Sequence, residues 1–242
     1  RGDPFSLYSI FVLFNFSKNK LSNFFTSNDI DKTKINDLSL CSVVPTLTDT
    51  IVVSLKSLTN QEPLIVGPGT RTGIQINYDR TQDVGADRIA NAVAVNHIYG
   101  NPAIVIDMGT ATVFDVMIKG PKYIGGAIAP GIQVSAEAIA RETSQLPKVE
   151  LVAPPNVIGK NTIESIQSGF VYGFVHMIEG MTKRIKTKIH KNERDLVKVI
   201  ATGGLAHIIT PHTNIFYDVN KDLTLHGLRI IKDINQKDNP VK

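Results

Sequence analysis

Residues 104–117 read Ile-Val-Ile-Asp-Met-Gly-Thr-Ala-Thr-Val-Phe-Asp-Val-Met, and this is the stretch that decides the fold. Apolar and β-branched residues fill both ends, which predicts two strands joined by a tight turn at Asp107–Thr112. The glycine of such a turn lets backbone N–H groups approach a phosphate, the threonine hydroxyls add donors, and the acid can hold a cation. These residues alone leave an ordinary hairpin with a polar turn as the alternative.

The composition is typical of a soluble globular protein. Of the 242 residues 42% are hydrophobic, and the chain is long enough for one large domain or two smaller ones. Cys41 is the only cysteine, so an internal disulfide is excluded and a cytoplasmic location is expected. The six histidines show no ligand spacing, so the sequence indicates no zinc site.

Charge and hydropathy predict neither a nucleic-acid partner nor a membrane. The net charge is +4, and much of the excess lies between Lys183 and Lys198, where apolar residues recur at helical spacing. Those basic residues are therefore expected on the solvated face of an amphipathic helix. The apolar run from Leu7 to Phe16 is too short to span a bilayer and lacks the features of a signal peptide, so a buried helix is expected there.

Periodicity predicts strands alternating with helices along most of the chain. The expected helices are at residues 6–27, 48–58, a segment that follows Asp83 and ends near Ile98, 132–143, 163–174, a basic segment from 178, and 223–235. The expected strands are at residues 38–44, 63–66, 74–78, 104–106, 113–117 and 197–202. Glycine-rich loops follow several of these strands, and in open α/β sheets ligands bind at the carboxyl ends of strands. These loops are therefore candidate binding elements.

Two helix starts carry candidate polar residues. Asp83 is the expected N-cap of a helix that has Asp87 in its first turn, where the helix N-terminus stabilises a carboxylate. Arg88 is either an ion-pair partner of Asp87 or a bidentate anion binder. Asn161 or Thr162 is the expected cap of a later helix, and capping alone would explain either residue.

Six motifs occur in an order and spacing that match one known family. They are Gly67-Pro-Gly69, Gly85-Ala-Asp-Arg88, Asp107-Met-Gly-Thr-Ala-Thr112, Gly125-Gly126 with Pro130-Gly131, Gly159-Lys-Asn-Thr162 and Ala201-Thr-Gly-Gly204. Together they closely resemble the type III pantothenate kinases of bacteria, over a stretch from about Ser42 to Ile231. The resemblance implies an α/β fold of two ribonuclease H-like domains, of the actin, hexokinase and Hsp70 type, with a cleft between them. The domains would be residues 1–100, incomplete at the start, and residues 101–242.

The resemblance also implies a reaction and a role for each matching residue. The reaction would be phosphorylation of pantothenate to 4'-phosphopantothenate, the first step of coenzyme A biosynthesis, by a homodimer that uses Mg²⁺–ATP and K⁺ or NH₄⁺. Asp87 would accept the proton of the attacking hydroxyl, and Asp107 would bind the monovalent cation. The pantothenate pocket would be lined by Tyr78, Gly85, Ala86, Asp87, Arg88 and Thr162. ATP would be contacted by Thr110, Thr202, Gly203 and Gly204.

One departure from the family pattern is large. Family members begin with a strand-turn-strand that carries an Asp-x-Gly-Asn-Thr phosphate loop, and this sequence, which starts at Arg1, shows none. About 40 residues are expected to be missing at the front, with an aspartate for magnesium and donors for the phosphates. The alternative to an active kinase is therefore a catalytically impaired or regulatory binding protein on the same scaffold. A sugar or acetate kinase of the same superfamily fits the pocket motifs less well.

Overall fold

The computed structural model describes residues 18–42 and 45–236. The α-helices of these residues are α1 (Lys18–Ser27), α2 (Pro45–Thr59), α3 (Ala86–Ile98), α4 (Ile132–Glu142), α5 (Thr162–Lys188), α6 (Ala206–Ile209) and α7 (Leu223–Gln236). The strands are β1 (Ser39–Leu40), β2 (Leu64–Ile65), β3 (Gln75–Ile76), β4 (Ala103–Met108), β5 (Ala111–Ile118), β6 (Lys122–Pro130), β7 (Lys198–Thr202) and β8 (Asp218–Val219).

Six of the strands form one sheet in the order β3-β6-β5-β4-β7-β8. The strands β4, β5 and β6 are an antiparallel meander, β7 is parallel to β4, and β8 is parallel to β7. A meander continued by parallel strands beside its first strand is the strand order of a ribonuclease H-like domain. The predicted α/β fold class is confirmed, and so is the hairpin predicted at residues 104–117.

The central strand β4 is buried from both sides. Residues 103–106 are 0% exposed. Ala103 and Val105 belong to one apolar cluster with α3 and α7, whereas Ile104 and Ile106 face a second cluster that includes residues of α5 and α6. Helices on both faces explain why this strand is an unbroken apolar run rather than an alternating one. The one polar residue of β4, Asp107, therefore lies near the end of the strand.

The start of the described chain, from α1 to β2, forms a smaller unit. The strands β1 and β2 pair in parallel, and a third apolar cluster joins α1, α2 and the segment between them. The helix α3 packs instead on the large sheet, where a Cβ at Gly227 of α7 would collide with the Ala90 carbonyl of α3. The division into domains at residues 1–100 and 101–242 stays a prediction.

Several predicted elements differ from the structure. The cap of α3 is Gly85 rather than Asp83, which ends a 3-10 turn and pairs with Arg80. The helix predicted from 163 and the basic helix from 178 are one helix of 27 residues, which ends at Lys188, so the basic residues after it lie outside the helix. Asn161, not Thr162, caps this helix by accepting from the Glu164 N–H.

Other predictions are confirmed in type but not in length. The helices predicted at 132–143 and 223–235 are present, as is the strand at 197–202. The strand predicted at 38–44 is reduced to Ser39–Leu40, and residues 43–44 lie outside the described residues. Of the helix predicted at 6–27 the structure describes Lys18–Ser27, and the rest of it, like the end of the chain beyond Gln236, lies outside them. Within the described chain, no helix combines the length and the apolar character needed to cross a membrane.

Candidate active site

Two parallel strands end side by side at the centre of the sheet, and their ends carry the first candidate residues. Asp107, next to last in β4, pairs in register with Thr202, the last residue of β7. The chain then turns at Gly203 with a φ of +93°, and a Cβ there would lie 2.5 Å from Asp107 Oδ1. Glycine at this position lets the loop after β7 lie directly against the carboxylate.

The first turn of α3 supplies a second carboxylate. Asp87 is half-buried, and its Oδ1 accepts a hydrogen bond of 2.9 Å from the backbone N–H of Arg88. The N-terminal end of a helix favours a negative charge at this place. Burial raises the pKa of Asp107, and the nearby charge of Asp87 raises it further. The same two causes raise the pKa of Cys41 to about 11. The end of β4 and the start of α3 thus bring two carboxylates together.

A buried chain of hydrogen bonds holds Asp107 in place. Asn91, one turn after Asp87 on α3, donates from Nδ2 to Asp107 Oδ2 over 3.0 Å. Thr224 of α7 donates its hydroxyl to Asn91 Oδ1 over 2.7 Å. Because Thr224 takes the amide oxygen, Asn91 presents its N–H group to the carboxylate. The helix α7 therefore helps to set the orientation of Asp107.

The surroundings of Asp107 fit a bound cation. Burial and the Asp87 charge raise the pKa of Asp107, and a cation beside the carboxylate would offset both effects. Its Oδ2 is held by Asn91, whereas its Oδ1 faces the loop glycines Gly109 and Gly203. No group of three or more His, Cys, Asp or Glu side chains within residues 18–42 and 45–236 is placed to hold a metal ion. A cation here would therefore combine one carboxylate with other oxygen ligands, including those of a bound phosphate.

The Arg88 side chain forms a buried ion pair with Asp115 of β5. Asp87, which the sequence offered as a possible ion-pair partner of Arg88, is therefore not that partner. Arg88 Nε and Nη2 each lie 2.8 Å from Asp115 Oδ1, and the Tyr123 hydroxyl donates to the same oxygen over 2.8 Å. Burial lowers the pKa of Arg88, but the charge and hydrogen bond of Asp115 outweigh it and leave that pKa raised. The ring centre of Tyr78 lies 6.3 Å from that of Tyr123.

The other residues predicted to contact pantothenate or ATP lie in three places along the chain. Gly85 caps α3 and Ala86 begins it, so both lie beside Asp87. Thr110 is exposed in the two-residue turn between β4 and β5. Thr162 is the exposed first residue of α5, and among the described residues no hydrogen bond or ion pair joins it to Asp87. The described contacts thus link residues of α3, β4 and β7, and they do not include Thr162.

Sequence reasoning missed two residues that hold this arrangement, Asp115 and Asn91. Both had a signal. Asp115 is the only charged residue in the apolar run 113–117, and a charge in a buried strand needs a partner. Asn91 follows Asp87 by four positions, which places both side chains on one face of α3.

A cavity of about 590 Å³ begins where the loop after β7 ends. Its walls are α4, the extended segment 148–153, and the start of α6. Leu205, which follows the diglycine, lines it, and His207 hydrogen-bonds the Gly204 carbonyl over 3.0 Å. The loop Thr202-Gly203-Gly204 thus separates this cavity from Asp107.

Comparison with known proteins identifies relatives over most of the chain. Residues 16–184 match the family model described as type III pantothenate kinase. A type III pantothenate kinase of Dehalococcoides mccartyi (strain ATCC BAA-2266 / KCTC 15142 / 195) is 47% identical over 203 residues, which cover 84% of this chain and 77% of that protein. A type III pantothenate kinase of Moorella thermoacetica is 44% identical over 206 residues, which cover 85% of this chain and 80% of that protein.

A solved structure also resembles the chain. The crystal structure of a conserved Campylobacter jejuni protein, described as a Baf family transcriptional activator, superposes with a TM-score of 0.57 and 20% sequence identity. The match covers 90% of this chain and 89% of that one. At this identity the likeness concerns the fold alone.

Proposed function

Since the chain belongs to the type III pantothenate kinase family, its reaction is the ATP-dependent phosphorylation of pantothenate in coenzyme A biosynthesis, and we propose that Asp87 receives the proton of the attacking hydroxyl. The observation that carries this assignment is the placement of Asp87 in the first turn of α3, where its charge reaches Asp107 at the end of β4. A hydroxyl bound between these two elements would have one carboxylate for its proton and a second for a cation.

The chemistry demands positioning more than a strong base. Phosphoryl transfer passes through a loose transition state in most analyses, so the hydroxyl proton leaves late and a carboxylate is an adequate acceptor. Holding the hydroxyl and the γ-phosphorus in line supplies much of the rate. The site contributes to this with a rigid helix start on one side and two adjacent strand ends on the other.

The phosphoryl donor is ATP with a divalent cation, and the proposal adds a monovalent cation, K⁺ or NH₄⁺, at Asp107. A divalent cation bound with ATP neutralises charge on the phosphates that transfer. A cation there is supported by the position of Asp107 Oδ1, which faces the loop glycines Gly109 and Gly203, and by the nearby Asp87 carboxylate, whose charge a cation would offset. Asn91 orients Asp107 for this role.

The nucleotide would lie along the loops after β4 and β7. Thr110 is placed in the exposed turn after β4, where its hydroxyl can donate to a phosphate. The loop Thr202-Gly203-Gly204 would lie against the adenosine, and the adjoining cavity of about 590 Å³ has room for the base. His207, anchored on the Gly204 carbonyl, lines that cavity.

Pantothenate would occupy the side of the site formed by α3 and β6. Gly85 and Ala86 would bring the backbone of the helix start beside the substrate, and Arg88 and Tyr78 would form one wall of the pocket. The lining by Gly85, Ala86, Arg88, Tyr78 and Thr162 is part of the proposal. Thr162 enters it through the family motif, because no described contact links it to α3.

A homodimer belongs to the same proposal and would cover an apolar surface on α4 and α5. Exposed apolar side chains cluster in these helices and the segment before α5: Val134, Ile139, Val157, Ile158 and Ile163. Light scattering is expected to give twice the chain mass of 26.5 kDa. Ile158→Asp should shift the mass toward one chain, whereas Val53→Asp, at an exposed valine of α2, should not. A wild-type mass of one chain at micromolar concentration would contradict the dimer.

Activity on pantothenate is tested by following ATP, ADP and phosphorylated products by phosphorus NMR. With K⁺ and Mg²⁺ present, we expect ADP and one phosphomonoester to form in equal amounts from ATP and pantothenate. Replacing K⁺ by Na⁺ should lower the rate, and Asp107→Asn should abolish that difference. Glucose and acetate are the controls for other kinases of the superfamily. Phosphorylation of either one in preference to pantothenate would overturn the assignment.

The family comparisons give no support to the alternative of a regulatory binding protein. The family model and the curated relatives at 44–47% identity are type III pantothenate kinases. The expected cytoplasmic location agrees with a metabolic enzyme of this family and with the single cysteine of the chain.

A further inference from the structure

Asp115 is a buried charged residue that the proposed reaction does not use. It lies in β5 between Phe114 and Val116 and is 0% exposed. Burial raises its pKa to about 6 and the Arg88 charge opposes the rise, so the carboxyl is mainly ionised at neutral pH. An ionised carboxylate in the core is costly unless a partner and hydrogen bonds compensate it. A carboxylate at position 115 therefore calls for an explanation other than packing within the sheet.

The contacts of Asp115 hold the Arg88 side chain in place. Its Oδ1 receives Arg88 Nε, Arg88 Nη2 and the Tyr123 hydroxyl, each at 2.8 Å, whereas its buried Oδ2 has no partner among the described residues. The guanidinium also lies over the Tyr123 ring, 5.7 Å from the ring centre. The edge of the Arg88 guanidinium thus binds Asp115, and its face packs on the Tyr123 ring.

This arrangement leaves part of the guanidinium available. A guanidinium has five N–H donors in a fixed plane, and Asp115 takes one on Nε and one on Nη2. The other three donors are not taken by Asp115. Tyr78, whose ring centre lies 6.3 Å from that of Tyr123, and Arg88 are both proposed pantothenate contacts, so these are the donors that the substrate would meet.

We propose that Asp115, assisted by Tyr123, is a positioning residue that fixes the Arg88 guanidinium so that its free N–H donors meet the oxygen acceptors of pantothenate. The proposal rests on the proposed function, since it deepens the description of that same pocket. A long arginine side chain that is already immobilised loses little freedom when the substrate binds. Asp115 would therefore act on pantothenate affinity and leave ATP affinity unchanged.

The test measures the KM of each substrate in variants that keep the size of the side chain. Asp115→Asn removes the negative charge opposite Arg88 and leaves hydrogen bonds in which only the guanidinium is ionised, and we expect the pantothenate KM to rise about tenfold. Tyr123→Phe removes one of the three donors, and we expect a rise of about threefold. The ATP KM should change by less than about twofold in both. Thr182→Val, at a buried threonine of α5, is the control for changing a buried polar group elsewhere.

A double-mutant cycle separates positioning from a structural role. If Asp115 acts through Arg88, Asp115→Asn should add less than about twofold to the pantothenate KM in an Arg88→Lys background. Lower thermal stability with both KM values unchanged would overturn the proposal, and so would equal rises in both KM values. If Asp115→Asn does not fold, Tyr123→Phe decides, because it keeps the ion pair, and an unchanged pantothenate KM would reject the idea. A full-length form of the protein that fails to phosphorylate pantothenate would instead refute the proposed function.

Discussion

Replacing Asp87 by Asn is expected to lower kcat for pantothenate phosphorylation by about 10²- to 10⁴-fold, the range typical for loss of a general base. The amide keeps the shape of the side chain and can still accept from the Arg88 N–H. It cannot take the hydroxyl proton. The pantothenate KM should change much less than kcat, because the lost interaction belongs to the transition state. Steady-state kinetics with saturating ATP provide both values.

The matched control for this change is Asp83→Asn. Asp83 lies four residues earlier, is exposed, and pairs with Arg80 over 3.5 Å at the surface. Surface pairs contribute little, so the control should keep kcat within about twofold of wild type. Full turnover by Asp87→Asn would remove this residue from the mechanism, whereas equal losses in both variants would indicate a general effect of charge.

Replacing Gly203 by Ala is expected to disrupt the nucleotide loop and the cation ligand together. A Cβ at this position would lie 2.5 Å from both Asp107 Oδ1 and the Met108 carbonyl oxygen, and the φ of +93° is unfavourable for alanine. We expect a loss of about 1–3 kcal/mol in the free energy of unfolding from this strained backbone. The ATP KM should rise at least about tenfold, which corresponds to about 1.4 kcal/mol.

Gly204→Ala is the neighbouring control. A Cβ at Gly204 would meet nothing within 4 Å, and its backbone is outside the left-handed region. Its free energy of unfolding should therefore stay within about 0.5 kcal/mol of wild type, as for an ordinary surface substitution. Chemical denaturation and ATP titrations of both variants measure the difference. Equal effects of the two substitutions would show that the close approach of Gly203 to Asp107 is unimportant.

Much of the fold could be predicted because its signals are local. The hairpin β4–β5 joins two apolar runs across a short glycine-containing turn, so sequence alone predicts its strands and its turn. The helices α4 and α7 follow from periodicity in the same way. Asp87 and Asp107 could be predicted because the other residues of each motif are adjacent to them in the sequence.

The parts that were missed depend on distant partners. Arg88 precedes its partner Asp115 by 27 residues, and Thr224 is 133 residues from the Asn91 amide that it orients. Single-sequence patterns can indicate that a buried polar residue needs a partner, but they do not show which distant residue supplies it. The wrong N-cap at Asp83 has a similar cause, since propensity favours an acid at a cap but the chain forms a 3-10 turn there and begins α3 after Gly85.

A crystal structure of the chain with pantothenate and a non-hydrolysable ATP analogue in K⁺ tests the role of Asp87 directly. We expect the primary hydroxyl of pantothenate to lie within about 2.6–3.2 Å of an Asp87 carboxylate oxygen. The terminal phosphate of the analogue should lie on the opposite side of that hydroxyl, next to Thr110 and Asp107. A pantothenate hydroxyl beyond hydrogen-bonding reach of Asp87, with another side chain in its place, would show that Asp87 does not receive the proton.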